Sequence, residues 1–217
     1  DGNTSEFSDN LAAAATNDAP TVTPTGADLA YTEDDGAVAV DDAIAVADVD
    51  DTDLESATVQ ITGNYLDTED QLGFTNQNGI TGIWDVGTGT LTLTGTASVA
   101  NYQTALQSIT YTNRDNAAPD TNTRTVTFTV NDGDTDSVAA TRDITVTTLT
   151  DITARETIDS DGDGQIDQIK ITTDQNLDDD FSGLTMTVAG YGVAGYSTDI
   201  ANDNIFYVDL TESGTGD

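Results

Sequence analysis

Residues 124–130 read RTVTFTV and residues 90–95 read TLTLTG. Apolar side chains alternate with threonine at a period of two, the pattern of a strand with one buried face. The pattern returns in SITYTN (108–113) and RDITVT (142–147). Working outward, short strands are expected near 21–25, 29–33, 37–40, 43–47, 56–62, 72–75, 81–85, 90–94, 108–113, 123–130 and 138–147, with Gly- and Asp-rich turns between them. Strands of this length and spacing predict an antiparallel sandwich. One segment breaks the period. In SVANYQTALQSI (98–109), Ser98 can cap a helix, and Val99, Tyr102, Ala105 and Leu106 fall on one helical face, so one short helix is expected there.

Three stretches follow from this frame. Residues 1–18 read as the tail of a preceding module plus a linker, ending in NDAP (17–20), where Pro20 starts an extended segment. Residues 19–148 form the first sandwich. Residues 149–217 form a second β-sandwich module built from TDITARETI (150–158), QIKITT (168–173), LTMTVAGY (184–191) and NIFYVDLTE (204–212). These strands are few for a sandwich. The remainder is expected beyond Asp217, or from another copy through self-association; the alternative is a complete small sandwich. The first and second modules are expected end to end, because RDITVTTL runs into DITARETI without a Gly/Ser spacer.

The chain has 217 residues, 40 of them acidic against 5 basic, for a formal net charge of −35. Phosphate binding needs a basic surface, so nucleic acid is excluded as a partner, and an anionic membrane with it. No run of about 18 apolar residues is present to span a bilayer. The chain has no Cys and no His, which removes thiolate chemistry, imidazole catalysis and disulfide staples. That much carboxylate repels itself in a compact fold unless cations neutralise part of it.

Residues 159–167 read DSDGDGQID. Asp159, Asp161 and Asp163 alternate with small residues, Gly162 and Gly164 permit a tight loop, and Asp167 follows. A hard cation such as Ca²⁺ takes about six to eight oxygens. This spacing wraps the four carboxylates and the Gln165 carbonyl around one point. Position twelve of the loop is Lys170 rather than Glu, and alternation after the loop predicts a strand rather than a helix. The plain alternative is a solvated acidic turn. Asp178, Asp179 and Asp180 read as a solvated turn, although one of them could complete the shell that Lys170 leaves short.

An ordered set of motifs spans residues 17–148: NDAP, YTEDDG, DVDDTD, GTLTLTG, SVANYQTALQSITYTN and VTFTVNDGDTDS. This stretch resembles a bacterial cadherin-like adhesin repeat. Residues 152–212, with ETIDSDGDGQIDQIKITT and TVAGYGV, resemble a second bacterial surface-protein module of immunoglobulin-like type. The resemblance implies an all-β chain of tandem immunoglobulin/cadherin-like antiparallel sandwiches. It also implies a calcium-stiffened structural or adhesive repeat of a large secreted or cell-surface filament protein, extracellular and without catalysis. Adjacent repeats of the same chain are then the first partners.

In an immunoglobulin-like sandwich the second-to-third and sixth-to-seventh strand loops lie at the end where the chain comes in. Here those loops hold Asp48, Asp50, Asp51 and Asp53, then Asn131, Asp132, Asp134 and Asp136; the linker holds Asn17 and Asp18. One to three Ca²⁺ ions would neutralise them; otherwise they are solvated loop acids. The cadherin resemblance implies the same ligand role for Asn17, Asp18, Asp48, Asp50, Asp132 and Asp134. It also implies that Glu33 binds an ion at the far end, near Asp151. Glu33 reads equally as an exposed strand-end acid.

The competing reading is a binding module for a surface glycan or protein, with Trp84, Tyr65, Tyr102, Tyr191 and Tyr196 as a stacking surface. A lone Trp in IWDV more often fills a core. Paired carboxylates can cleave glycosides, but nothing marks one pair as held in a cleft, so the protein is read as no enzyme.

Overall fold

The computed structural model describes residues 16–178 and 180–211. The tail expected over residues 1–15, Asp179 and residues 212–217 fall outside the described residues. The protein is all-β, and the described residues form mostly antiparallel sheets and one short helix. Its contacts divide it into two compact units, 1–148 and 149–217.

The first unit contains β1 (Thr21–Thr23), β2 (Leu29–Thr32), β3 (Val38–Ala39), β4 (Ala45–Ala47), β5 (Asp53–Gly63), β6 (Asp70–Gly73), β7 (Thr81–Asp85), β8 (Thr90–Ser98), α1 (Val99–Gln107), β9 (Thr110–Asn113), β10 (Arg124–Asn131) and β11 (Ala140–Thr147). A six-stranded sheet runs β2-β11-β10-β5-β8-β7, a three-stranded sheet β3-β9-β6, and β1 pairs with β4. The β2–β11 pairing is parallel. Period-two alternation puts Leu91, Leu93, Val126, Phe128 and Val130 inside, while Thr90, Thr92, Thr127 and Thr129 occupy the outer face. One buried cluster runs through all three sheets and the helix.

The helix forms where the capping argument puts it. Ser98 Oγ accepts a hydrogen bond from Asn101 N at 3.2 Å, and Tyr102, Ala105 and Leu106 are buried. Its polar residues tie it to the neighbouring segment: Val46 N donates to Gln103 Oε1 at 3.0 Å and Gln107 Nε2 donates to Ile44 O at 3.0 Å. Just before it, the β5–β8 register slips between Leu54 and Ser56. Gly95 sits opposite that slip with φ +128°, where any Cβ would strike the Gly79 carbonyl oxygen, so the bulge requires glycine.

Two arginines are spent inside the first unit. Arg124 is fully buried. Its Nε donates to Asp70 at 3.1 Å, its Nη2 to Glu69 at 3.0 Å, and its Nη1 to the Asn122 carbonyl at 2.6 Å. Tyr111 OH also donates to Asp70, at 2.6 Å. Burial first, then the bond to Asp70, holds the Tyr111 phenol above its ordinary range. Arg142 pairs with the buried Asp41 at 3.1 Å. Each charge is neutralised and hydrogen-bonded, the condition for tolerating it in an interior.

The second unit contains β12 (Ile152–Ile158), β13 (Gln168–Thr173), β14 (Gly192–Ser197) and β15 (Ile205–Thr211). They form one antiparallel sheet in the order β12-β13-β15-β14. Among the described residues this sheet is all that represents the expected second sandwich. Ile171, Phe206 and Val208 are buried, and Leu177, Phe181 and Met186 from the 174–191 segment pack over them. The strand expected at LTMTVAGY (184–191) does not form; the fourth strand is Gly192–Ser197 instead. Positive φ at Gly183 and Gly190 turns the chain at both ends of that stretch. From that stretch Met186 packs over the sheet, while Leu184 stays exposed.

Candidate metal centres

The first carboxylate group is assembled from three separate parts of the first unit. One is the incoming segment 16–20, another the loop between β4 and β5, the third the loop between β10 and β11. Each loop is shaped by an aspartate that folds back on its own backbone. Asp48 Oδ1 accepts from Asp50 N at 3.1 Å and Asp51 N at 3.0 Å. Asp132 Oδ1 accepts from Asp134 N at 2.8 Å and Thr135 N at 2.7 Å. These Asx turns hold the carboxylates in place. The incoming segment is then tied to both loops: Asn17 Nδ2 donates to Asp132 Oδ2 at 3.0 Å, and Asp18 N donates to the Asp50 carboxylate at 3.2 Å.

Carboxylate oxygens of Asp48, Asp51 and Asp132 lie within 4.8 Å of one another. Oxygens sharing one Ca²⁺ at about 2.3–2.6 Å stand at most about 5 Å apart. Among the described residues Asp48 Oδ2 is buried with no hydrogen-bond partner, a state that costs free energy unless something positive meets it. Partial burial first, then the charges of Asp50, Asp48, Asp132 and Asp134, raise the Asp51 pKa above the ordinary carboxylate value. Partial burial pushes Asp132 upward too, but hydrogen bonds from Asn17, Thr135 and Asp134 outweigh it and hold that carboxyl low. Among the described residues no Lys or Arg ion pair lies in this cluster.

The structure thus brings Asn17, Asp18, Asp48, Asp50 and Asp132 together at one pole. Asp51, held in the same loop, stands in the tightest group, whereas Asp50 serves the Asp18 backbone. Asp134 is exposed beside Asp132. Glu33 is elsewhere. It is 3% exposed rather than a free strand-end acid, its N–H donates to Thr147 O at 2.8 Å, and it belongs to neither carboxylate group.

The second group is local. The 159–167 loop is the turn of the β12–β13 hairpin, whose last pair is Ile158 with Gln168. Gly162 and Gly164 have φ of +79° and +90°, which lets their N–H groups point back to Asp159 at 2.7 and 3.0 Å. Oxygens of Asp159, Asp161 and Asp167 lie within 4.8 Å of one another. Asp163 is turned to Gln165, accepting from its backbone N–H at 2.8 Å and its side-chain amide at 3.3 Å. Asp167 joins the loop to the sheet, since Leu210 N donates to its carbonyl at 2.8 Å. Lys170 faces Glu156 across the strands at 3.9 Å.

Asp178 and Asp180 are exposed, and hydrogen bonds from Ser182 hold Asp180 low. Of the five aromatic residues, Tyr102 leaves no surface to stack on. Tyr102 is fully buried, with its OH donating to Gly95 O at 2.7 Å, and burial pushes its pKa up to about 12. Trp84 is half-buried against the first core and meets Tyr65 edge-on at 6.1 Å. Tyr191 and Tyr196 belong to the second unit.

No protein-family profile matches the chain. Over 120 residues, 53% of its length, the chain is 35% identical to halomucin of Haloquadratum walsbyi (strain DSM 16790 / HBSQ001), and the chain covers only 1% of that protein. The similarity is therefore to a module-sized stretch of a very long protein.

Proposed function

We propose that this chain is a calcium-stiffened structural or adhesive segment of a large secreted or cell-surface protein, without catalysis. The observation that carries the reading is the orphaned Asp48 Oδ2, within 4.8 Å of oxygens on Asp51 and Asp132. A Ca²⁺ there would draw on Asp48, Asp51 and Asp132. Asn17 and Asp18 are already bonded to the same two loops, so closing the site would stiffen the incoming segment. Asp159, Asp161 and Asp167 would hold a second ion at the β12–β13 turn. Both sets are half-buried or exposed, which suits the weak sites of extracellular modules, with Kd on the order of 10⁻⁴–10⁻³ M. Similarity to a small part of a very long protein supports the role of one segment among many.

Calorimetric titration of the full chain with Ca²⁺, followed by limited proteolysis across residues 16–20, tests this reading. Binding is expected, with protection of the incoming segment that is lost in Asp48→Asn and Asp132→Asn. No heat and no protection at millimolar Ca²⁺ would overturn it.

A further inference from the structure

The chain contains one methionine and no cysteine. A peroxide therefore meets a single thioether and no thiol. That thioether, Met186, stands at an unusual place in the second unit. Its side chain lines an open groove of about 340 Å³ with Ile152, Leu177, Phe181, Leu184 and Phe206. It also packs against the buried Ile171, Phe206 and Val208. The groove offers small solutes a route to the sulfur, and the packing makes its polarity matter.

We propose that Met186 is a peroxide-modification site whose sulfoxide releases the 174–191 cover from the second sheet. The sulfur takes one oxygen from hydrogen peroxide. The O–O bond breaks, an S–O bond forms, and the other oxygen leaves as water with both peroxide protons. Sulfur is oxidised by two electrons and the peroxide is reduced by two. The product is a polar, bulkier sulfoxide where an apolar side chain was packed against Ile171, Phe206 and Val208, and its oxygen is hydrated only when the side chain turns from that packing toward the open groove.

The cover is poorly placed to absorb that change. Where the cover starts, Asp174 and Asp151 exchange hydrogen bonds at 2.8 and 3.0 Å, and where it ends Ile166 N donates to Tyr191 OH at 3.4 Å. Between these, it is tied to its unit by Leu177 N donating to Asp203 O at 2.8 Å and by Met186 N donating to Tyr196 OH at 2.9 Å. Phe181 adds ring contacts to Phe206 and Tyr196 at 5.5 and 5.9 Å. The second tie begins at Met186 itself, so expelling its side chain strains both the packing and the hydrogen bond. The first unit has no sulfur and no counterpart to this event.

The test treats the full chain with graded hydrogen peroxide, then reads peptide masses and amide hydrogen exchange. A gain of one oxygen at Met186 is expected, with faster exchange over 174–191 and in β13 and β15, and unchanged exchange in the first unit. Methionine sulfoxide reductase should restore protection, and Met186→Leu should not respond to peroxide. Sulfoxide formation without faster exchange over 174–191 would overturn the proposal. So would a Met186 that stays unmodified at doses that oxidise free methionine.

Discussion

In the first unit buried apolar side chains from three sheets and a helix join in one cluster, and two arginines are enclosed with their carboxylates. In the second, the buried apolar residues among those described are Ile171, Phe206 and Val208, and half-buried side chains of the strands (Ile169, Val193, Tyr196, Leu210) and of the covering segment (Leu177, Phe181, Met186) complete the core. The carboxylate groups differ in the same sense. Asp48, Asp51 and Asp132 come from loops far apart in sequence, whereas Asp159, Asp161 and Asp167 share one hairpin turn. The described interior of the first unit is thus the more extensive, and that of the second draws on side chains laid over one sheet.

The largest effect expected is internal to the first unit. Arg124→Met leaves Asp70 and Glu69 without their cation and should cost about 3–5 kcal/mol. The single Trp, Trp84, lies in this unit, so urea unfolding followed by its fluorescence isolates the response. A loss below about 1 kcal/mol would remove the buried ion network from the comparison.

Chelation should divide the units more visibly. Under the proposed function, each carboxylate group would contribute on the order of 2.7 kcal/mol at a hundredfold excess of Ca²⁺ over its Kd. Hydrogen exchange with and without EGTA, at constant high monovalent salt to fix screening, should show the second unit losing protection throughout. The first should lose it only around residues 17–18, 48–51 and 132–135. Equal loss in both would break the contrast.

Acid should act on the first site in a calculable direction. The Asp51 pKa is raised, so its ionisation opposes folding in the absence of a cation. The cation-free first unit should therefore gain stability from this group as pH falls through its pKa. Protons would also compete with the proposed Ca²⁺ there, weakening its binding by up to about tenfold per pH unit below that pKa. Asp132, held low, keeps its bond to Asn17 until more acid is added, and its contribution is lost as pH falls through its own pKa. Calcium titrations at stepped pH, compared with Asp51→Asn, in which only the lower step from Asp132 should remain, would sharpen this assignment.

The smallest effect belongs to the helix. Ser98→Ala removes the oxygen that accepts from Asn101 N and should cost about 1 kcal/mol, seen as a small drop in the first-unit midpoint. No change would mean that Gln103 and Gln107 alone hold the helix to its neighbour.

Local chemistry was legible wherever it was self-contained. The strands of RTVTFTV and TLTLTG follow from alternation, and the Val99–Gln107 helix follows from a cap and an apolar face. Arg124 shows what was passed over. It lies in phase with Val126, Phe128 and Val130, so the same alternation that predicts the strand points it inward. A charge on the buried phase was the available signal for an enclosed ion network. The 184–191 stretch misled because apolar alternation is common to a strand and to a segment laid across a sheet.

By itself the chain determined its all-β character, its helix, its lack of thiol and imidazole chemistry, and the acidic turn at 159–167. Each of these rests on neighbours within a few residues, or on composition alone. Only the tertiary structure decided that Asp51 rather than Asp50 stands with Asp48 and Asp132, that Asp48 Oδ2 is left without a partner, that Glu33 is enclosed, and that Met186 covers a sheet rather than joining it. The physical reason is the same in each case. Which oxygen or sulfur faces which neighbour depends on loops brought together across many residues, and no local pattern encodes that meeting.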